Sequence, residues 1–175
     1  ELKGAEIYFD IPTVTGTENI MMAAVLAKGT SVLRNAAREP EIIALAEALN
    51  QMGADIQGAG TAVITINGVP GLKPVSYRII PDRIEAGTFM VAAALTGGRI
   101  TLLNAEPDHL GAIIDKLHLT GAEISIDGKT VKVEGKKKIK SVNLETQPYP
   151  GFPTDMQAQF MVLMCVAAGT SVISE

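Results

Sequence analysis

Fourteen residues of this chain recur, and the recurrence limits the possible folds more tightly than any single motif. Residues 23–36 (AAVLAKGTSVLRNA) and 92–105 (AAALTGGRITLLNA) are identical at seven of fourteen positions, 69 residues apart. Gly53-Ala54-Asp55-Ile56 answers Gly121-Ala122-Glu123-Ile124 at a spacing of 68. A third copy opens with Phe160-Met161-Val162, the counterpart of Phe89-Met90-Val91 at 71, and its Gly169-Thr170-Ser171-Val172 restates Gly29-Thr30-Ser31-Val32. A repeat of roughly 70 residues is one supersecondary unit used more than once. The third copy stops after its first helix and strand.

Each copy has the same order of elements. An alanine-rich apolar helix ends at a glycine (Gly29, Gly98, Gly169), where a positive φ would close it. A β-branched strand follows, at 30–33, 99–103 and 170–173. In the first two copies an Asn-Ala turn and a proline (Pro40, Pro107) then lead into a second helix, 41–52 or 108–119. Ile42, Leu45 and Leu49, and Leu110, Ile113, Ile114 and Leu117, stand at amphipathic spacing in these helices. Two short strands finish the copy, 55–57 with 63–66 and 123–126 with 130–133, turning at 58–60 and at Asp127-Gly128. The fold class this predicts is α/β, built of repeated β-α-β-α-β-β units. The first helices are apolar nearly all round, which predicts that they are buried within a shell of short sheets. A boundary is expected near Ile80-Pro81, one strand after the GVPGLKP segment at 68–74.

Composition excludes several function classes. Of 175 residues, 15 are Lys or Arg and 19 are Asp or Glu, a formal net charge of −4. Nucleic-acid binders carry a basic excess on one face, so no nucleic-acid partner is expected. The basic run at 136–140 lacks aromatic neighbours and reads as a solvated loop. The single Cys excludes an internal disulfide framework and fits a reducing compartment. No apolar run approaches a membrane span and no leader pattern is present, so a cytoplasmic chain with no membrane partner is expected. A chain that stops within a repeat and opens with Glu1 predicts a piece of a longer protein.

Three helix entrances carry polar residues. The segment Pro12-Thr13-Val14-Thr15-Gly16-Thr17-Glu18 can cradle a diphosphate on free helix N–H groups, or Thr15 or Thr17 can cap its own helix. Asp155, in Phe152-Pro153-Thr154-Asp155, can act as a helix cap and dipole partner or as a general base. The third entrance is Pro81-Asp82-Arg83-Ile84-Glu85. Arg38 and Glu39 read as a solvated turn. Cys165, in an apolar run, is expected in the core. His109 and His118 lack partners at ligand spacing, so no metal is expected.

The motifs NAAREPEI (35–42), PDRIEAGTF (81–89) and FPTDMQAQF (152–160) together resemble the UDP-N-acetylglucosamine 1-carboxyvinyltransferase family, the enolpyruvyl transferases that open bacterial peptidoglycan synthesis. The resemblance runs along the whole chain and corresponds to a central part of a protein more than twice as long. It implies two lobes, each of three β-α-β-α-β-β units with buried helices, known as an inside-out α/β barrel. Residues 1–80 would be the last unit of one lobe. Residues 81–175 would be the first unit and part of the next unit of the other, with the site in the cleft between lobes.

The implied reaction moves enolpyruvyl from phosphoenolpyruvate to the 3′-hydroxyl of UDP-N-acetylglucosamine, with no cofactor. Asp155 matches the family aspartate that accepts the hydroxyl proton and contacts the sugar, and Thr154 shapes the same turn. Ile11, Pro12, Thr13, Val14, Thr15 and Gly16 match the nucleotide-diphosphate loop. Many members read Ser-Val-Gly there, whereas here the glycine comes one place later, and some have Lys where this chain has Ile11. Backbone contacts by Thr13 and Val14 therefore carry over, and a charge pair from position 11 does not. Arg83 is read as serving lobe closure rather than ligand. The family's reactive loop Cys or Asp, its Lys-Asn pair and its phosphoenolpyruvate-binding arginines find no match. The chain by itself is therefore expected to be inactive and to need the remaining parts of its parent. The related reaction on shikimate 3-phosphate and a non-catalytic module of the same fold are the alternatives.

Overall fold

The computed structural model describes residues 1–175, in two compact units, Glu1–Ile80 and Pro81–Glu175. The first runs β1 (Glu6–Tyr8), α1 (Val14–Ala24), β2 (Thr30–Arg34), α2 (Pro40–Gln51), β3 (Asp55–Gln57) and β4 (Val63–Asn67). Its sheet has the order β1-β2-β4-β3, with β1 parallel to β2 across α1 and the other pairs antiparallel. Leu33, Ile64, Ile66 and Ile56 point to one face of this sheet and meet Met21, Ala24, Ile42, Ala46 and Leu49 from the two helices. The order of elements is the β-α-β-α-β-β grammar read from the repeat.

The second unit repeats the theme from its first helix. It holds α3 (Arg83–Thr96), β5 (Arg99–Leu102), a 3-10 turn (Pro107–His109), α4 (Gly111–Thr120), β6 (Glu123–Asp127) and β7 (Thr130–Glu134). These strands pair antiparallel in the order β5-β7-β6. A further start follows: β8 (Leu144–Glu145), a 3-10 turn (Thr154–Met156), α5 (Gln157–Cys165) and β9 (Ile173–Ser174), with β8 parallel to β9 as β1 is to β2. Val131, Val133, Met90, Ile113, Leu117, Phe152, Met156, Phe160 and Leu163 share this unit's core.

Two repeated devices set the register of each copy. Asn35 and Asn104 adopt φ of 55° and 57°, the left-handed conformation that asparagine tolerates best after glycine. Each turns the chain so that the next residue, Ala36 or Ala105, is buried. At the far end of each hairpin stands a glycine, Gly68 or Gly135, whose N–H donates to the carbonyl of Gly29 or Gly98 at 2.9 and 2.8 Å. A Cβ there would lie 1.6 Å from Ala27 O or 2.3 Å from Ala93 O, so no side chain fits. This close approach closes the last strand onto the end of the first helix.

Four expectations are corrected. The first helices are not enclosed: α1 buries Thr17, Met21 and Ala24, while Met22 is 45% exposed; on α3, Phe89 is 49% exposed. On α5, Met161, Val162 and Cys165 are exposed, because the chain supplies no element to cover that face. Cys165 is therefore a surface residue here and not a core one. The first helices do not end at Gly29, Gly98 and Gly169: α1 stops at Ala24 and α5 at Cys165, and α3 is closed by Gly97 (φ 65°), one place before Gly98. No strand forms between residues 68 and 80, where Pro70 and Pro74 remove donors and only Val69 and Lys73 make backbone hydrogen bonds, to Val25 O and Met52 O. No helix is long and apolar enough to cross a membrane.

Candidate functional site

The three repeated helices begin differently, and the difference singles out one of them. Thr13 caps α1: its Oγ1 accepts from Gly16 N at 3.2 Å and its carbonyl from Thr17 N at 3.0 Å. Asp82, at the same place in the repeat, caps α3, its Oδ1 accepting from Ile84 N at 2.8 Å and Glu85 N at 3.1 Å. The third copy has Pro153 at that place, and no side chain caps the 3-10 turn or α5. Proline has no side-chain oxygen to offer; its carbonyl accepts from Met156 N at 3.0 Å and that of Thr154 from Gln157 N, so this entrance lacks only the side-chain cap that the other two have.

Asp155 stands at that entrance. It is exposed, one residue from the buried Met156, and its carboxylate makes no hydrogen bond to the helix behind it. The capping alternative for Asp155 thus lacks the hydrogen bond that defines a cap. A carboxylate free of internal partners is open to accept a proton from a hydroxyl brought within hydrogen-bond reach. Thr154, also exposed, opens the same turn, and its carbonyl accepts from Gln157 N.

The ground under Asp155 is rigid. Phe152 and Phe160 are buried and meet edge to face, centroids 4.9 Å apart at 81°. Met156 is fully buried against Gly87 of α3, where a Cβ would come within 3.1 Å of its sulfur. Gln159 Nε2 donates to Thr88 Oγ1 at 3.0 Å, tying α5 to α3 one turn from Asp155. The preceding loop is closed by Gln147 N to Phe152 O and Gly151 N to Pro148 O, both 2.9 Å.

In the first unit, Ile11 to Gly16 form the entrance to α1. Ile11 is 75% exposed and Thr15 is exposed, while Pro12, Thr13, Val14 and Gly16 are half-buried. The cap is Thr13 rather than Thr15 or Thr17; Thr17 is fully buried and its Oγ1 accepts from Ala37 N at 3.2 Å. Gly16 is small because a Cβ there would lie 2.5 Å from Thr13 Cγ2 and push the cap aside. With the cap on Gly16 N, the N–H groups of Val14 and Thr15 have no backbone acceptor and face outward from the helix. Close by, burial pushes the Glu18 carboxyl above its ordinary range, and the Glu41 carboxylate adds to the push.

The sequence reading did not find the partner of Arg83. Its guanidinium, on a side chain that is 8% exposed, lies 5.7 Å from the centroid of the Tyr149 ring. The available signal was the Pro148-Tyr149-Pro150-Gly151 run, an aromatic held between two prolines just ahead of the Asp155 turn. No group of three or more His, Cys, Asp or Glu side chains is placed to hold a metal ion.

Comparisons with known proteins assign this fold of repeated β-α-β-α-β-β units to a family. The model of the family described as EPSP synthase (3-phosphoshikimate 1-carboxyvinyltransferase) matches residues 1–175, and the chain belongs to this family. It is 68% identical over 174 residues to the UDP-N-acetylglucosamine 1-carboxyvinyltransferase of Desulforapulum autotrophicum, covering 99% of this chain and 42% of that protein. It is 65% identical to the protein of the same name from Desulfosudis oleivorans, covering 100% of this chain and 42% of that one. Among solved structures, the enolpyruvyl transferase NikO from Streptomyces tendae superposes with a TM-score of 0.80 at 21% identity, over 99% of this chain and 45% of that one. The last likeness concerns the fold alone. The chain spans 42% of the length of these two curated relatives.

Proposed function

We propose that the full-length protein containing this chain transfers enolpyruvyl from phosphoenolpyruvate to the 3′-hydroxyl of UDP-N-acetylglucosamine, a cytoplasmic step committing the sugar to peptidoglycan. In this reading, residues 1–80 are the last unit of one lobe, and residues 81–175 are the first unit and part of the next of the other. The observation that carries the reading is the uncapped Asp155 within FPTDMQAQF, in a chain 68% identical to a relative of that name. Asp155 takes the proton of the 3′-hydroxyl as its oxygen bonds to the substituted vinyl carbon of phosphoenolpyruvate, while the terminal carbon gains a proton. Loss of phosphate and of a proton from the tetrahedral adduct restores the vinyl group on the sugar. Thr154 holds the turn that presents Asp155. The outward N–H groups of Val14 and Thr15, with Ile11, Pro12, Thr13 and Gly16 around them, take the diphosphate through backbone contacts. Neither unit carries the arginines that would hold phosphoenolpyruvate, so the 175-residue chain alone does not turn over.

The test is phosphate release by the full-length protein from phosphoenolpyruvate, with UDP-N-acetylglucosamine or shikimate 3-phosphate as acceptor. The reading predicts release with the sugar nucleotide only. Release with shikimate 3-phosphate instead would move the protein to the sister reaction, and release with neither would leave a non-catalytic module.

A further inference from the structure

We infer that Tyr149 is a positioning residue for Asp155, acting through the stack of its ring under the Arg83 guanidinium. The inference deepens the proposed function and rests on Asp155 being the base. Asp155 has no hydrogen bond of its own to fix it, so its place is set by the segment that delivers it. That segment is pinned at its base by Gln147 N to Phe152 O and at its end by the buried Phe152 and Met156. Only its tip, residues 148–151, projects from these anchors, and Tyr149 sits on that tip. Arg83 is held at the first turn of α3, beside the Asp82 cap, and with Tyr149, Pro150, Gly151 and Pro153 it lines one small hollow. A cation within about 6 Å of an aromatic centroid is attracted to the ring face, most strongly where water is excluded. With Arg83 buried, the stack ties the loop tip to the start of α3, six residues from the reactive carboxylate. Catalytic groups are sensitive to displacements of about 1 Å, so a loosened tip reaches turnover before it reaches stability.

The experiment uses the full-length protein and reads kcat, the KM for each substrate and the melting temperature. Tyr149→Phe keeps the ring and is expected to leave kcat within about twofold of wild type. Tyr149→Leu and Tyr149→Gln remove it and are expected to lower kcat by about tenfold or more, with the KM for phosphoenolpyruvate unchanged. In an Asp155→Asn background the same Tyr149 substitutions should cost less than about twofold, because a positioning residue has nothing left to position. Two non-aromatic variants guard against one that folds poorly, since both must show the same kcat loss at wild-type melting temperature. Wild-type kcat in both, a loss that tracks the melting temperature, or losses that multiply with Asp155→Asn would overturn the inference. If Asp155→Asn itself is silent, the general-base reading falls first; if it is damaging and Tyr149→Leu is silent, this inference falls alone.

Discussion

At the scale of single residues, side-chain environment decides what each polar group can do. Glu18 is pushed toward its neutral form by burial and then by Glu41. A carboxyl whose folded pKa is raised favours the fold fully only when protonated, below its unfolded pKa, and that contribution is lost as pH rises through the folded value. Glu18→Gln is therefore expected to raise the melting temperature near pH 7, with the gain fading as pH falls through the raised folded value and gone below about 4. A constant gain across that range would show that the effect is not electrostatic. Thr13→Ala removes the α1 cap and should cost about 1 kcal/mol in chemical unfolding. Cys165 should react with a thiol reagent in the undenatured 175-residue chain, as an exposed thiol does. These residues also mark where the sequence misleads. An apolar run identifies Cys165 as a core residue only if something packs on every side of its helix, and runs do not report neighbours. The choice of Thr13 over Thr15 or Thr17 as cap likewise depends on where the helix starts, to within a residue.

At the scale of elements, the repeat carried nearly all the information. The second helix and the last three strands of the first copy fell within two residues of the periodicity reading, because each is fixed by local pattern and by glycine or proline punctuation, whereas α1 stops at Ala24, five residues before Gly29. Two things were not legible. The strand expected before Ile80 needs a partner, and its residues find none within the chain. The glycines at 68 and 135 look like ordinary loop residues, yet both are required by contact with the preceding helix end. Gly135→Ala would place a methyl 2.3 Å from Ala93 O and 3.0 Å from Ala94 Cα, both backbone atoms that cannot swing away. A loss of about 3 kcal/mol in denaturant unfolding is expected. Gly71→Ala, with nothing near its Cβ, should be neutral or slightly stabilising. Equal effects at the two sites would contradict the close-packing account.

At the scale of the whole molecule, the family was legible in three motifs, and the comparisons agree with it along the entire chain. The candidate site was legible in part. Its position came from the motif, whereas the absence of a cap at Pro153 and the stack behind Asp155 required the structure, since both depend on what a side chain lacks or meets. The chemistry assigned to the full-length protein turns on the role of that carboxylate. The most direct test replaces Asp155 with Asn in the full-length protein and compares phosphate release from phosphoenolpyruvate and UDP-N-acetylglucosamine with sugar-nucleotide binding measured separately. The account predicts a fall in kcat of about 10²-fold or more with binding largely retained. Near-normal turnover would contradict it and leave Asp155 as a surface residue at the start of a helix.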